Sequence, residues 1–303
     1  MKFSNKFLIL FLAFIIFSQT AFTQGFKQIV QGKWGKKTNE LGIKFLSPGI
    51  LPTMPFMSPG GYDVDNEGKI WLADSVNRQI KSFINREWRE TMVNSEALGE
   101  VHFHQGKLYV ISRNPNGFLI FDCEKEKIEK LVKVNFKSPG RIVCLRPNLV
   151  VIEEIGGGIW IVEGEKSFVH PAVALQAIGD GRFVYGLQKD ILSNDLHLIR
   201  VEVSKEPQEP EIAGTYENER RTVYARLVSL PGKTPILSVI DEDDPANYRF
   251  INFDQAKNKT LKLPVLDGPY LLSSWKLCSD GLFYGFFGNA SEGFKIYCSE
   301  KGL

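Results

Sequence analysis

Six small residues each stand seven positions before a turn signal, and this recurrence constrains the fold more than any other feature of the chain. Gly61, Gly99, Gly140, Ala174, Ala225 and Ser274 precede Gly68, Gly106, Pro147, Gly181, Gly232 and Gly281. Four residues before each turn stand Val64, His102, Val143, Ala177, Val228 and Leu277, all apolar except His102. The small column recurs at intervals of 38, 41, 34, 51 and 49 residues. Short β-branched or aromatic runs lie beside the turns, such as Lys69–Ala73, Lys107–Ile111, Asn148–Ile152, Arg182–Tyr185 and Leu282–Tyr284. No stretch shows a sustained helical period with caps. Multi-stranded repeats of about 40–50 residues predict an all-β fold, a six-bladed β-propeller with four-stranded antiparallel blades.

The physical logic is burial. A four-stranded blade alone leaves both faces wet, whereas stacking blades around an axis buries each face on a neighbour and leaves short edges. A small residue at the head of each inner strand lets six backbones crowd together. Residues 26–46 precede the first inner strand and are expected to give the last blade its outer strand, closing the ring. The polar stretch Ser204–Thr222 in the longest interval reads as a surface loop.

The N-terminus reads as a targeting signal. Lys2 and Lys6 precede an unbroken apolar run, Phe7–Phe17, which is shorter than the roughly 20 residues of a membrane-spanning helix. Ala21-Phe22-Thr23 then offers small residues where a signal peptidase cuts. We expect residues 1–23 to be a cleaved secretory signal peptide and residues 24–303 a single propeller domain, secreted or periplasmic. The 37 basic and 35 acidic residues of the full chain become equal once Lys2 and Lys6 are removed. Such a balance calls for neither nucleic acid nor an anionic membrane as partner. Cys123, Cys144, Cys278 and Cys298 form no C-x-x-C pair, which leaves zinc and thioredoxin-type chemistry unsupported. Export permits disulfides, with Cys278–Cys298 the favoured pair; four buried thiols are the other reading.

Residues 59–83 run Pro-Gly-Gly-Tyr-Asp-Val-Asp-Asn-Glu-Gly-Lys-Ile-Trp-Leu-Ala-Asp-Ser-Val-Asn-Arg-Gln-Ile-Lys-Ser-Phe. This segment resembles an NHL repeat, with its Pro-Gly opening, D-x-x-G turn, apolar strand ending in Asp-Ser and a following Asn-Arg pair. Asp65, Gly68, Asp74, Asn77 and Arg78 stand at those places. The resemblance implies an NHL-type six-bladed propeller in which Asp74 and Asn77 fix a hairpin and are not catalytic. The other blades keep the apolar pattern and parts of the turn.

The motifs of serine hydrolases, zinc proteases, P-loop enzymes and dinucleotide-binding folds are missing. Gly156-Gly157-Gly158 lies between two strand runs and reads as a hairpin turn. His102 and His104 share one face of a strand, which suits inter-blade packing better than a metal site without a third ligand. Asp241-Glu242-Asp243-Asp244 reads as a solvated hairpin tip without the spacing of a calcium loop. No cofactor or metal is expected.

The column directly after the small residues reads Tyr62, Glu100, Arg141, Leu175, Arg226 and Trp275. Aromatic and charged side chains at equivalent inner-strand positions predict a ligand site at one mouth of the central channel, made by Tyr62, Glu100, Arg141, Arg226 and Trp275. Two arginines against one glutamate favour an anionic small molecule or sugar. Tyr62 and Trp275, in blades adjoining across the closure, are expected to form one aromatic wall. The competing reading is an Arg–Glu network that plugs the channel. The expected function is an exported, non-catalytic propeller binding a small ligand or a protein partner. The alternative is a metal-dependent hydrolase similar to gluconolactonase and paraoxonase propellers, for which Glu100 alone stands at a suitable position.

Overall fold

The computed structural model describes residues 25–45, 55–57, 59–146, 149–154, 158–164, 166–170, 178–179, 182–190, 192–203, 209–217, 222–228, 235–252, 258–262, 272–278, 280–289 and 291–300. The expected signal segment, Leu175, and the turn glycines Gly181 and Gly232 lie outside them. Among the described residues every regular element is a strand, and none is a helix long and apolar enough to cross a membrane.

Among the described residues seven sheets form: a two-stranded one, Lys44–Phe45 with Pro55–Met57, and six blades that follow one another along the chain. Blade one comprises the strands Gly61–Val64, Ile70–Asp74, Gln79–Ile84 and Glu87–Met92 in spatial order. Blades two to five repeat this meander from the inner strands Leu98–His104, Pro139–Arg146, Ile178–Gly179 and Thr222–Val228. Blade six takes three strands, Leu272–Leu277, Phe283–Asn289 and Gly293–Ser299, from the end of the chain. Phe26–Trp34 adds to it, antiparallel to Gly293–Ser299, so the N-terminal strand closes the ring; Glu40–Leu41 pairs parallel outside it, making this blade five-stranded where four antiparallel strands were expected.

The core is divided as this architecture demands. Each pair of neighbouring blades encloses its own apolar cluster, six in all. Trp71 sits in the cluster between blades one and two, 2% exposed, with its ring edge-on to Phe121 at 5.7 Å. Its indole N–H donates to Asp65 Oδ2 over 3.0 Å, while Asp65 Oδ1 accepts from the backbone of Glu67 and Lys69. Asp65 therefore shapes the D-x-x-G turn and fixes the tryptophan beneath it. The turn glycines Gly68, Gly106 and Gly281 take φ of +80°, +77° and +80°, a region that a side chain disfavours. Gly61 is small for a different reason: a Cβ there would stand 2.9 Å from Glu100 Cα, where the inner strands of blades one and two touch.

Asp74 and Asn77 are structural, as the repeat resemblance implies. Asp74 accepts from Asn77 N and Nδ2 and from Gly42 N, and Asn77 Nδ2 donates to Gly35 O over 2.8 Å. Glu242 and Asp243 are exposed at the tip joining Ile236–Asp241 to Asp244–Asn252, the expected hairpin. Gly158 O accepts from Glu154 N at the mouth of another hairpin turn; Gly156 and Gly157 lie outside the described residues.

Two expectations need correction. The stretch 204–222 is not wholly loop, because Glu211–Tyr216 is the outer strand of blade four. An outer strand is largely wet, so its sequence lacks the apolar signal of a buried one. Cys278 and Cys298 are free thiols. The strand Phe283–Asn289 runs between their strands, placing them two strand spacings apart, about 9–10 Å, beyond disulfide reach. Both thiols pack in the cluster between blades six and one, and burial raises the pKa of each above the ordinary thiol range. Cys123 is also free; the side chain of Cys144 lies outside the described residues.

Candidate functional site

The innermost strands of neighbouring blades lie side by side, with Gly61 against Glu100 between blades one and two and Ile142 N donating to Glu100 Oε2 over 3.1 Å between blades two and three. Polar side chains gather where the inner strands of blades six, one and two meet. Asp63, 1% exposed, anchors the group. Its Oδ2 accepts from Phe103 N over 2.7 Å and lies 3.0 Å from Lys276 Nζ and 3.5 Å from His102 Nδ1. Lys276 also donates to Val101 O over 2.8 Å and to Tyr62 O over 3.4 Å. One ammonium thus ties blade six to blades one and two.

Alternation along the strand explains the placement. Asp63 lies opposite Trp71, whose ring faces blade two. Lys276 lies opposite Tyr284, whose ring faces blade one. Both side chains therefore point to the following blade and converge. The carboxylate and ammonium satisfy each other and the backbone groups around them, as buried charge requires.

The electrostatics follow from this packing. Burial, then the Lys276 ammonium, lowers the His102 imidazole to about 4, although Asp63 pulls it upward. His102 is neutral at pH 7 and stands beside Asp63 as an uncharged imidazole. Burial opposes the charge on Lys276, yet Asp63 and Glu100 outweigh it and hold its pKa above the ordinary lysine value. The side chains of Lys276 and His102 remain 20% and 24% exposed, so both reach solvent. Burial also lowers His104, whose buried Nε2 has no hydrogen-bond partner.

The predicted ligand column is only partly gathered here. Glu100 belongs to the cluster. Tyr62 is buried instead between blades one and six, where its hydroxyl donates to Tyr284 O over 2.9 Å and its ring packs against Phe286. Trp275 lies on the other face of blade six, stacked on Phe283 at 5.5 Å and edge-on to Phe26 and Phe287. Equivalent positions face the same way round the ring, so Tyr62 faces blade six and Trp275 faces blade five. The sheet of blade six separates them and no shared aromatic wall forms. Arg141 turns to blade four, where its Nε donates to Glu153 Oε2 over 2.7 Å and its Nη2 is buried without a partner. Arg226 lies on the inner strand of blade five, opposite Ser238, with its side chain outside the described residues.

Sequence reasoning missed Asp63 and Lys276. The available signal was a buried-strand position, directly after the chosen column, that is charged in the first and last blades and apolar in blades two, three and five. The cluster does not fit an axial divalent cation. A permanent ammonium already stands among the carboxylates, and among the described residues no three His, Cys, Asp or Glu groups gather for a metal.

No protein-family model matches the chain, and no curated protein matches it in sequence. Solved structures superpose on the chain. A chain of the Mitotic Checkpoint Complex superposes with a TM-score of 0.53 at 12% identity, over 89% of this chain and 94% of that one. A calcium-binding protein, regucalcin, from Agrobacterium tumefaciens gives 0.49 at 12% identity, over 84% and 94%. The WD40 beta propeller domain of Doa1 gives 0.49 at 13% identity, over 80% and 79%. The first of these likenesses supports the propeller fold, and at such identities the fold is all that is shared.

Proposed function

We propose that this chain is an exported, non-catalytic propeller of the NHL-repeat type that binds a small anionic ligand, a carboxylate or acidic sugar, at one mouth of its channel. An acidic group of a protein partner is the other form such a ligand can take. Residues 1–23 act as the signal peptide, and residues 24–303 form the single propeller domain. The NHL assignment rests on the roles of Asp65, Asp74 and Asn77 in blade one.

The observation that carries the binding proposal is Lys276. It is a permanently charged ammonium at the meeting of three inner strands, still partly exposed, beside a neutral imidazole. Lys276, which would exchange its long 3.4 Å contact with Tyr62 O for the anion while keeping Asp63 and Val101 O, and His102 are the contact groups, with Glu100 beside them. Arg141, one blade further round, is assigned to the site from its repeat position, with its guanidinium oriented by Glu153. Arg226 is assigned to the same site from its repeat position. Tyr62 and Trp275 serve as walls from within the flanking clusters and make no direct contact. The hydrolase reading has less support, because the Lys276 ammonium repels a divalent ion.

The test is calorimetry of the wild type against acetate, sulfate and glucuronate, followed by Arg141→Ala. The proposal expects binding by the wild type and a loss of about 1.5–3 kcal/mol in the variant, with its melting temperature preserved. No binding by the wild type, together with a large stability loss in Arg141→Ala, supports an ion-pair plug and refutes the site.

A further inference from the structure

Asp63 Oδ2 is shared by two side chains of different kind, with Lys276 Nζ at 3.0 Å and His102 Nδ1 at 3.5 Å. The ammonium is a standing charge, and the carboxylate answers it. The imidazole is uncharged at pH 7. The cluster therefore offers an anion no net positive charge, even before Glu100 is counted. A carboxylate beside Nδ1 also favours the tautomer that carries its hydrogen there. Nε2 is then left with a lone pair, which repels an anion. One proton on Nε2 removes both obstacles, because the ring becomes a cation and that nitrogen becomes a donor.

Among the described residues no other group around the ring fits this part. Glu100 and His104 stand on the same strand, and Tyr109 lies opposite on the next one. Burial raises the Tyr109 phenol further above neutrality. Lys107, opposite His104, is paired with Glu129 over 2.7 Å. Blade six supplies Lys276, held above the ordinary lysine value, and Cys278, a thiol that burial keeps protonated. Blade three adds Ile142 and Val150 to the cluster it shares with blade two, and neither titrates. His104 is the other imidazole, but its Nε2 is closed to solvent, whereas His102 keeps 24% of its side chain exposed.

We propose that the channel mouth takes its anion together with one proton, which His102 receives from solvent on Nε2 as the anion settles against Lys276. This rests on the reading above, in which the mouth binds an anion, and adds how that binding is regulated. The mouth captures its ligand as its surroundings acidify and releases it near neutrality. Linkage sets the range. The free imidazole titrates near 4, and an anion beside it raises it towards its ordinary value of 6.5. The bound state holds more protons between those values, so affinity rises as pH falls.

Sulfate is the probe, since it keeps its charge across this range. Calorimetry at pH 7 and pH 5 is combined with proton uptake read by pH-stat in unbuffered solution. Binding is expected to be about tenfold or more tighter at pH 5, with about one proton taken up per sulfate bound. His102→Gln is expected to bind sulfate weakly and equally at both pH values without uptake, and His104→Gln to behave as the wild type. Melting temperatures at each pH identify a variant that fails to fold, and the wild-type uptake stands in either case. Equal wild-type affinity at both pH values, or binding without uptake, overturns the coupling and leaves the mouth reading standing. Uptake that survives in folded His102→Gln overturns the assignment to His102. No sulfate binding at either pH overturns the mouth reading as well.

Discussion

Lys81 Nζ lies 3.5 Å from Asp74 Oδ2, and both side chains are wholly buried. The same ammonium donates to Lys37 O over 2.9 Å and to Glu40 O, while Asp74 accepts from Gly42 N. The segment leaving the N-terminal strand is therefore clamped onto blade one, across the seam where the ring closes. Lys81→Met is predicted to destabilise the fold by about 3–5 kcal/mol, because it leaves Asp74 buried and short of its cation. Hydrogen exchange should quicken first in Phe26–Trp34 and Glu40–Leu41. Uniform acceleration across all six blades would show that the clamp is no more than part of the general core.

Trp71 offers a test of the blade register. Trp71→Ala is expected to cost about 3–5 kcal/mol in denaturant melts, since it empties the cluster between blades one and two. Trp71→Phe keeps most of the volume and loses the bond to Asp65, which is worth about 1 kcal/mol. Equal losses in the two variants would place the energy in the hydrogen bond and not in the packing.

The depressed His102 pKa makes stability depend on pH. The unfolded imidazole takes up its proton near 6.5 and the folded one near 4. Between those values the unfolded state binds more protons, so stability rises with pH. The contribution is fully present above about 6.5 and is lost as pH falls towards 4; burial of His104 acts in the same direction. The drop in urea melts between pH 7 and pH 4 should be no more than about 3 kcal/mol for His102. It should shrink in His102→Gln. An unchanged slope in that variant would assign the effect to other groups.

The fold was legible because turn chemistry repeats. Gly68, Gly106 and Gly281 mark hairpins that only particular backbone angles allow, and the spacing between them counts the blades. Asp65 and Trp71 were legible for the same reason. The site was less so. A repeat alignment brings residues to equivalent places, yet it does not say which neighbour each one faces. Tyr62 and Trp275 are equivalent and so end on opposite sides of blade six. In blade three a register shift turns Arg141 away from the direction that the column implies, and in blade two the tighter turn at Gln105-Gly106 does the same for Glu100. Lys276 and Asp63 pair across two ends of the chain, 213 residues apart in number, and no local pattern reports such a contact. The outer strand Glu211–Tyr216 was hidden because its solvated face gives it a loop-like composition.

The central claim, an anion held at the channel mouth, is tested most directly by anomalous diffraction from crystals grown in selenate. The account predicts a selenium peak within hydrogen-bonding distance of Lys276 Nζ, beside His102, that disappears in Lys276→Met. Peaks confined to exposed rim lysines such as Lys127 and Lys130, with none near Lys276, would contradict it.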